Sequence, residues 1–175
     1  METIQLKKVS LNDVEELKSI GKQTFIETFS AENTEGNMQR YLDEGFSTEK
    51  ITQELKEPYS YFYFALIEGQ VIGYLKVNTS EAQTEKQDNR ALEIERIYVL
   101  RKFHGKKVGQ MLYKKALSIA QEINAPYIWL GVWEKNPRAI NFYKKNGFIE
   151  FDKHIFKLGK DEQTDIMMKK LLIHK

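Results

Sequence analysis

The chain has 175 residues, close to one domain at roughly 150 residues each, and its 41% hydrophobic and 30% charged content with three prolines fits a folded rather than a disordered chain. With 27 Lys plus Arg against 25 Asp plus Glu the net charge is +2, too balanced for the whole surface to be a nucleic-acid or membrane platform. Cysteine is absent, and His104, His154 and His174 share no ligand spacing, so disulfides, thiolate nucleophiles and a metal site are not expected.

The opening METIQLKKVS lacks an apolar signal core, and no stretch nears the roughly 18 apolar residues of a membrane span, so a cytoplasmic setting is expected. No repeat or linker divides residues 1–175, which read as a single domain. Thr3 to Val9 reads as a strand. Ser10 and Asp13 then form a capping box before a helix with Val14, Leu17 and Ile20 on one face. Helices are predicted over roughly Asn33 to Glu44 and Ser47 to Glu57, and Pro58 stops the second. Tyr59 to Ile67 and Gln70 to Val77 are aromatic and β-branched runs joined by Glu68-Gly69, a hairpin with a two-residue turn. Asn78 to Asn89 is polar and reads as a loop.

Ala91 to Leu100 is the next strand, Lys106 to Asn124 an amphipathic helix, and Tyr127 to Trp133 a further strand. Asn136 is a helix cap with Pro137 at the first helical position, and Gly147 stands just past the end of that short helix. Strands over about Phe148 to Leu158 and Gln163 to Leu172 close the chain. The order of elements predicts an α/β or α+β fold, a mixed sheet with helices on both faces.

From Arg101 to Lys115 six residues are basic and none is acidic. A strand, a basic glycine-containing turn and a helix start make an anion site, because unpaired N–H groups and the positive dipole end face the ligand. On the local pattern alone, a solvated basic helix face accounts for the run equally well. Strict alternation in the strand from Ala91 to Leu100 puts Glu93, Glu95, Ile97 and Val99 on one face. A bulge would alter that register.

His104-Gly105-Lys106-Lys107-Val108-Gly109 resembles the acetyl-CoA loop of the GNAT superfamily, Gln/Arg-x-x-Gly-x-Gly/Ala, with histidine in the leading position and Lys107 at the first glycine. WLGVWEKNPRAINFYKKNGF resembles the second signature of that superfamily at Asn136, Tyr143, Gly147 and Phe148. LEIERIYV, IWLGVWEKN, the AINFYKKNGF stretch and the late EQTDIM narrow the resemblance to PaiA-type spermidine/spermine N-acetyltransferases along nearly the whole chain.

This resemblance implies a seven-stranded, mostly antiparallel sheet with acetyl-CoA wedged between the strands ending near Leu100 and beginning near Tyr127. It implies that Ile97, Tyr98 and Val99 carry the pantetheine arm, that residues 104–110 (His104, Gly105, Lys106, Lys107, Val108, Gly109, Gln110) cradle the pyrophosphate, and that Asn136 and Lys145 border the cofactor. Tyr143 is the expected proton donor to the departing thiolate, and Glu93 or Glu95 the expected proton acceptor. The implied acceptor is a primary amine of a polyamine. Glu27 to Glu57, with eight acids against three basic residues, is the expected acceptor side. Another amine, such as a protein N-terminus or an aminoglycoside, and a nonenzymatic acetyl-CoA sensor are the alternatives. Neither nucleic acid nor membrane is expected as a partner, and the chain is expected as a monomer or homodimer.

Overall fold

The computed structural model describes residues 3–158 and 161–173. Strand β1 (Ile4–Lys8) leads through the Ser10/Asp13 capping box into α1 (Val14–Phe29), followed by α2 (Glu35–Gly45) and α3 (Thr48–Lys56). Both reciprocal bonds of the box are present. Thr34 caps α2 and Ser47 caps α3 through their side-chain oxygens, so three short polar residues set the starts of this helical layer.

β2 (Ser60–Ile67) and β3 (Gln70–Thr79) form the hairpin, and Glu68 and Gly69 both take positive φ, as a type I′ turn requires. β4 (Leu92–Val99), α4 (Val108–Glu122) and β5 (Tyr127–Trp133) form a parallel crossover unit, followed by α5 (Pro137–Lys145), β6 (Ile149–Leu158) and β7 (Asp161–Leu171). The seven strands lie in the order β1-β2-β3-β4-β5-β7-β6, and every neighbouring pair is antiparallel except β4 with β5. The seven-stranded mixed sheet with helices on both faces is as expected.

Each face has its own core. α4 and α5 bury Leu112, Ala116, Tyr143 and Phe148 against Leu92, Ile94, Ile128 and Leu130. On the opposite face α1, α2 and α3 bury Leu17, Phe25, Phe29, Leu42 and Ile51 against Phe62, Phe64, Tyr74 and Trp133. Full burial of a side chain of that size contributes about 1.5–3 kcal/mol, so both helical layers are held firmly to the sheet.

Three strand and loop readings need correction. β3 runs through Asn78 and Thr79 rather than ending at Val77, because Asn78 is wholly buried and bonds to Ser60, Glu93 and Glu95. α4 starts at Val108 rather than Lys106, since Lys107 holds a left-handed conformation that no helix continues through. The strict alternation in β4 is broken by a bulge: Lys76 pairs with Arg96 and Val77 with Ile94, leaving Glu95 as the extra residue. Ile97 and Val99 therefore share the α4 face with Leu92 and Ile94, while Tyr98 and Leu100 pack on the α1–α3 face. Glu93 and Glu95 do not share a face with Ile97 and Val99.

Candidate active site

The parallel pair β4/β5 is joined only over Leu92–Ile128, Glu93–Trp129 and Ile94–Leu130. Beyond that point the strands part. The β5-facing edge of Glu95 to Val99 and the opposing edge of Gly131 to Trp133 open a wedge through the sheet. The bulge at Glu95 sits where the parting starts, and the extra residue turns β4 away from its neighbour. Gly73 in β3 permits the turn on the other side: a methyl there would stand 2.6 Å from the Tyr98 carbonyl oxygen.

At the mouth of the wedge, the turn after β4 leads into α4. His104 Nε2 lies 2.9 Å from the Val99 carbonyl oxygen; since that oxygen only accepts, the nitrogen carries the proton and donates. The imidazole thus ties the turn to the end of β4. Burial holds its pKa below the ordinary value, while the bond to Val99 and the charge of Glu27 oppose the shift. Gly105 has φ +82° and Lys107 φ +65°, and no side chain caps α4. The first-turn N–H groups of Val108, Gly109 and Gln110 face outward beside the exposed Lys106 and Lys107, a donor set suited to a pyrophosphate. The Gln110 side chain is engaged with Asn146 at 3.1 and 3.3 Å, so only its backbone can serve in that set. Lys145 is exposed at the end of α5.

The expected α5 geometry is present. Asn136 accepts from the Ala139 N–H at 3.2 Å, Pro137 occupies the first turn, and Gly147 takes φ +93°. These features direct Tyr143 inward, 5% exposed, against Phe142 and Phe148. Its hydroxyl bonds to nothing among the described residues. Burial raises its pKa, so it stays protonated at neutral pH. On the α1–α3 face Tyr98 packs with Tyr74 and Tyr41, the rings of Tyr74 and Tyr98 being 6.1 Å apart, whereas Tyr143 belongs to the core on the other face.

Glu93 and Glu95, the expected proton acceptors, both lie in bonded surroundings. Glu93 is 3% exposed, beside the joined part of β4/β5, and accepts from Asn78, from the Thr84 N–H at 2.8 Å and from the Thr84 hydroxyl. Burial raises its pKa, and those bonds oppose the rise. Glu95 joins Glu54, Lys76 and Arg96 in a network with contacts of 3.0–3.2 Å. Burial alone would lift Glu95, yet Arg96 and Lys76 hold its carboxyl below the ordinary value. Each carboxylate is thus already bonded, Glu93 by three donors and Glu95 by Lys76, Arg96 and Asn78.

The acidic segment is also more dispersed than its composition implies: Glu27 binds the Arg101 backbone at 2.9 Å, Glu32 pairs with Lys135, and Glu54 lies under Lys76 and Arg96. Among the described residues no group of His, Asp or Glu could hold a metal ion, and no helix is long and apolar enough to cross a membrane.

A sheet parted at its parallel strands, with an uncapped helix start at the mouth and a free phenol at the side, is the frame of an acyl-thioester transferase. Residues 22–148 match the model of the acetyltransferase (GNAT) family, and the chain belongs to that family of acetyl-CoA-dependent N-acetyltransferases. It is 38% identical over 173 residues, covering 99% of this chain and all of the relative, to an uncharacterized N-acetyltransferase in the pepI 3′ region of Lactobacillus delbrueckii subsp. lactis. It is 25% identical over 150 residues, 83% of this chain and 88% of the relative, to a spermidine N(1)-acetyltransferase of Thermoplasma acidophilum. The crystal structure of PaiA N-acetyltransferase from Thermoplasma acidophilum in complex with coenzyme A shares the fold, with a TM-score of 0.80 at 23% identity, covering 97% of this chain and 99% of that one.

Proposed function

We propose that this N-acetyltransferase acts on a primary amine of a polyamine, spermidine or spermine, and that Tyr143 protonates the leaving sulfur. The observation that carries this reading is the aromatic cluster of Tyr41, Tyr74 and Tyr98 on the α1–α3 face beside the wedge, since ring faces suit an alkylammonium. The similarity to a spermidine N(1)-acetyltransferase supports it. Bound acetyl-CoA supplies an acetyl group already activated as a thioester.

The residues then divide the work. Residues 104–110 hold the pyrophosphate through backbone N–H groups, with Lys106 and Lys107 adding charge, and Lys145 stands further out along the same side. The β5-facing backbone of Ile97 and the Val99 N–H offer sheet-like hydrogen bonds to the pantetheine amides, whereas the Tyr98 backbone, expected to share in this, faces Gly73 of β3. Asn136 caps α5 and so fixes where Tyr143 points. The phenol keeps its proton because burial opposes the phenolate. A thiolate formed in the same dry pocket has its proton affinity raised for the same reason, so the two groups stay matched. Glu93 and Glu95 hold β4 to β3 and to the 80–90 loop.

Because screening acts on each additional charge, added salt should raise KM for spermine more than for a monoamine such as phenethylamine. Equal salt dependence of the two KM values would remove the polycationic acceptor from the account.

A further inference from the structure

Asp165, in the late EQTD stretch, is left without a task by the site described so far. It lies in β7, in register with Trp133 of β5 on one side and His154 of β6 on the other. Residues directly opposite each other in an antiparallel pair share a face, so Asp165 lies on the α1–α3 face with Trp133 and Gly131. Its carboxylate spreads over Gly131, where a methyl would stand 3.4 Å from Oδ2. Gly131 directly follows Leu130, the last residue of β5 joined to β4. The carboxylate therefore overlies the point where the wedge begins, on its acceptor face.

Its surroundings set it apart from the acids nearby. Glu27, Glu32, Glu54, Glu93 and Glu95 each have a donor or a cation, whereas no donor among the described residues bonds to the half-buried Asp165. Its oxygens keep some contact with solvent and are not engaged by the protein, so they are open to a ligand that supplies donors. The titratable neighbours are His154 on β6, itself held by Glu85 at 2.7 Å, and Tyr41 of α2 on the same face. Glu95 and Arg96 act on Tyr41 from the β4 side. Burial raises the Asp165 pKa and His154 opposes the rise, so its proton affinity exceeds that of an ordinary aspartate.

We propose that Asp165 binds the acceptor's reacting ammonium and takes its proton, since it, unlike Glu93 and Glu95, has no donor bonded to it among the described residues. The assignment rests on the amine N-acetylation reading above. An alkylammonium with a pKa of about 10.4 carries its proton at neutral pH. Asp165 takes one proton, leaving a neutral amine whose lone pair forms the C–N bond to the acetyl carbon as the C–S bond breaks. The second proton released by nitrogen balances the one that Tyr143 gives to sulfur, so the products are the acetamide, the thiol and one proton on Asp165 that passes to solvent.

Asp165→Asn keeps the shape and removes the proton acceptor. The test measures kcat and KM for wild type and variant from pH 6.5 to 10, with spermidine, phenethylamine, a peptide with a free N-terminus and an aminoglycoside. It uses for the comparison whichever amine the wild type acetylates fastest, so a preferred acceptor other than spermidine displaces the polyamine reading and still tests Asp165. The expected result is a fall in kcat of about 10²-fold near pH 7, the usual effect of losing a general base. The deficit should shrink as the pH rises and the amine deprotonates unaided, with calorimetric affinity for acetyl-CoA unchanged. Wild-type rates in Asp165→Asn, a deficit equal at every pH, or a change confined to KM would each overturn the assignment.

Discussion

Lys107 stands where a glycine is usual, and its replacement separates the conformation of the loop from its charge. The residue holds φ +65° and ψ +18°, and a side chain in the left-handed region costs roughly 1–2 kcal/mol. Lys107→Gly removes that cost but adds about 0.5–1 kcal/mol of unfolded-chain entropy, for a net gain of about 0.5–1 kcal/mol. At this chain length that raises Tm by about 1–4 °C. Lys107→Ala keeps the strain and should show no gain. Lys107→Glu places an anion at a helix N terminus, which favours the dipole in the free protein by about 0.3–1 kcal/mol but opposes a bound pyrophosphate. Its calorimetric Kd for acetyl-CoA should rise about tenfold while its Tm does not fall. A lower Tm in Lys107→Gly would refute the conformational argument. An unchanged Kd in Lys107→Glu would refute the placement of the phosphates.

Tyr143→Phe removes a hydroxyl that has no partner among the described residues, so Tm should hold while kcat falls by about 10² in a CoA-release assay, as loss of a general acid does. A wild-type rate would return Tyr143 to the core. Glu95→Gln leaves Lys76 and Arg96 to share Glu54; breaking a buried pair costs about 3–5 kcal/mol, and the partial exposure of Glu95 reduces this to about 2–4 kcal/mol in urea unfolding. The pH dependence follows from the depressed folded pKa: the contribution of Glu95 is complete above its ordinary value of 4.5 and is lost as the pH falls through the folded value, so the wild-type advantage should narrow in acid. Glu93, raised by burial, has the opposite sign, and acid relieves its cost. Unaltered stability in Glu95→Gln, with a kcat that recovers at high pH, would restore Glu95 as the proton acceptor.

What could be read from the sequence was what local chemistry decides. Ser10 with Asp13, Glu68-Gly69 and Asn136-Pro137 with Gly147 each fix a backbone conformation within a few residues, so the helix starts, the hairpin and the frame around Tyr143 were legible. The bulge at Glu95 was not. Alternation has a period of two, and one inserted residue exchanges the faces of everything after it. Nor could composition show that Glu27, Glu32 and Glu54 would be claimed by Arg101, Lys135 and Lys76, because those partners come from distant elements. Asn78 and Thr79 read as a loop because they are polar, yet cross-strand bonds to Glu93 and Glu95 draw Asn78 into the core. Nothing in the sequence singled out Asp165. Its isolation over Gly131 exists only after β5 and β7 have paired.

The most direct test of the central claim is kcat/KM for CoA release with spermidine, spermine, a peptide with a free N-terminus and an aminoglycoside, measured side by side with the wild-type protein. A charge-assisted hydrogen bond contributes about 1.5–3 kcal/mol, so the two polyamines should exceed the peptide by about tenfold or more and the aminoglycoside should not exceed them. Faster turnover of the peptide or the aminoglycoside would contradict the acceptor assignment, and CoA release from none of the four would contradict amine acetylation at this site.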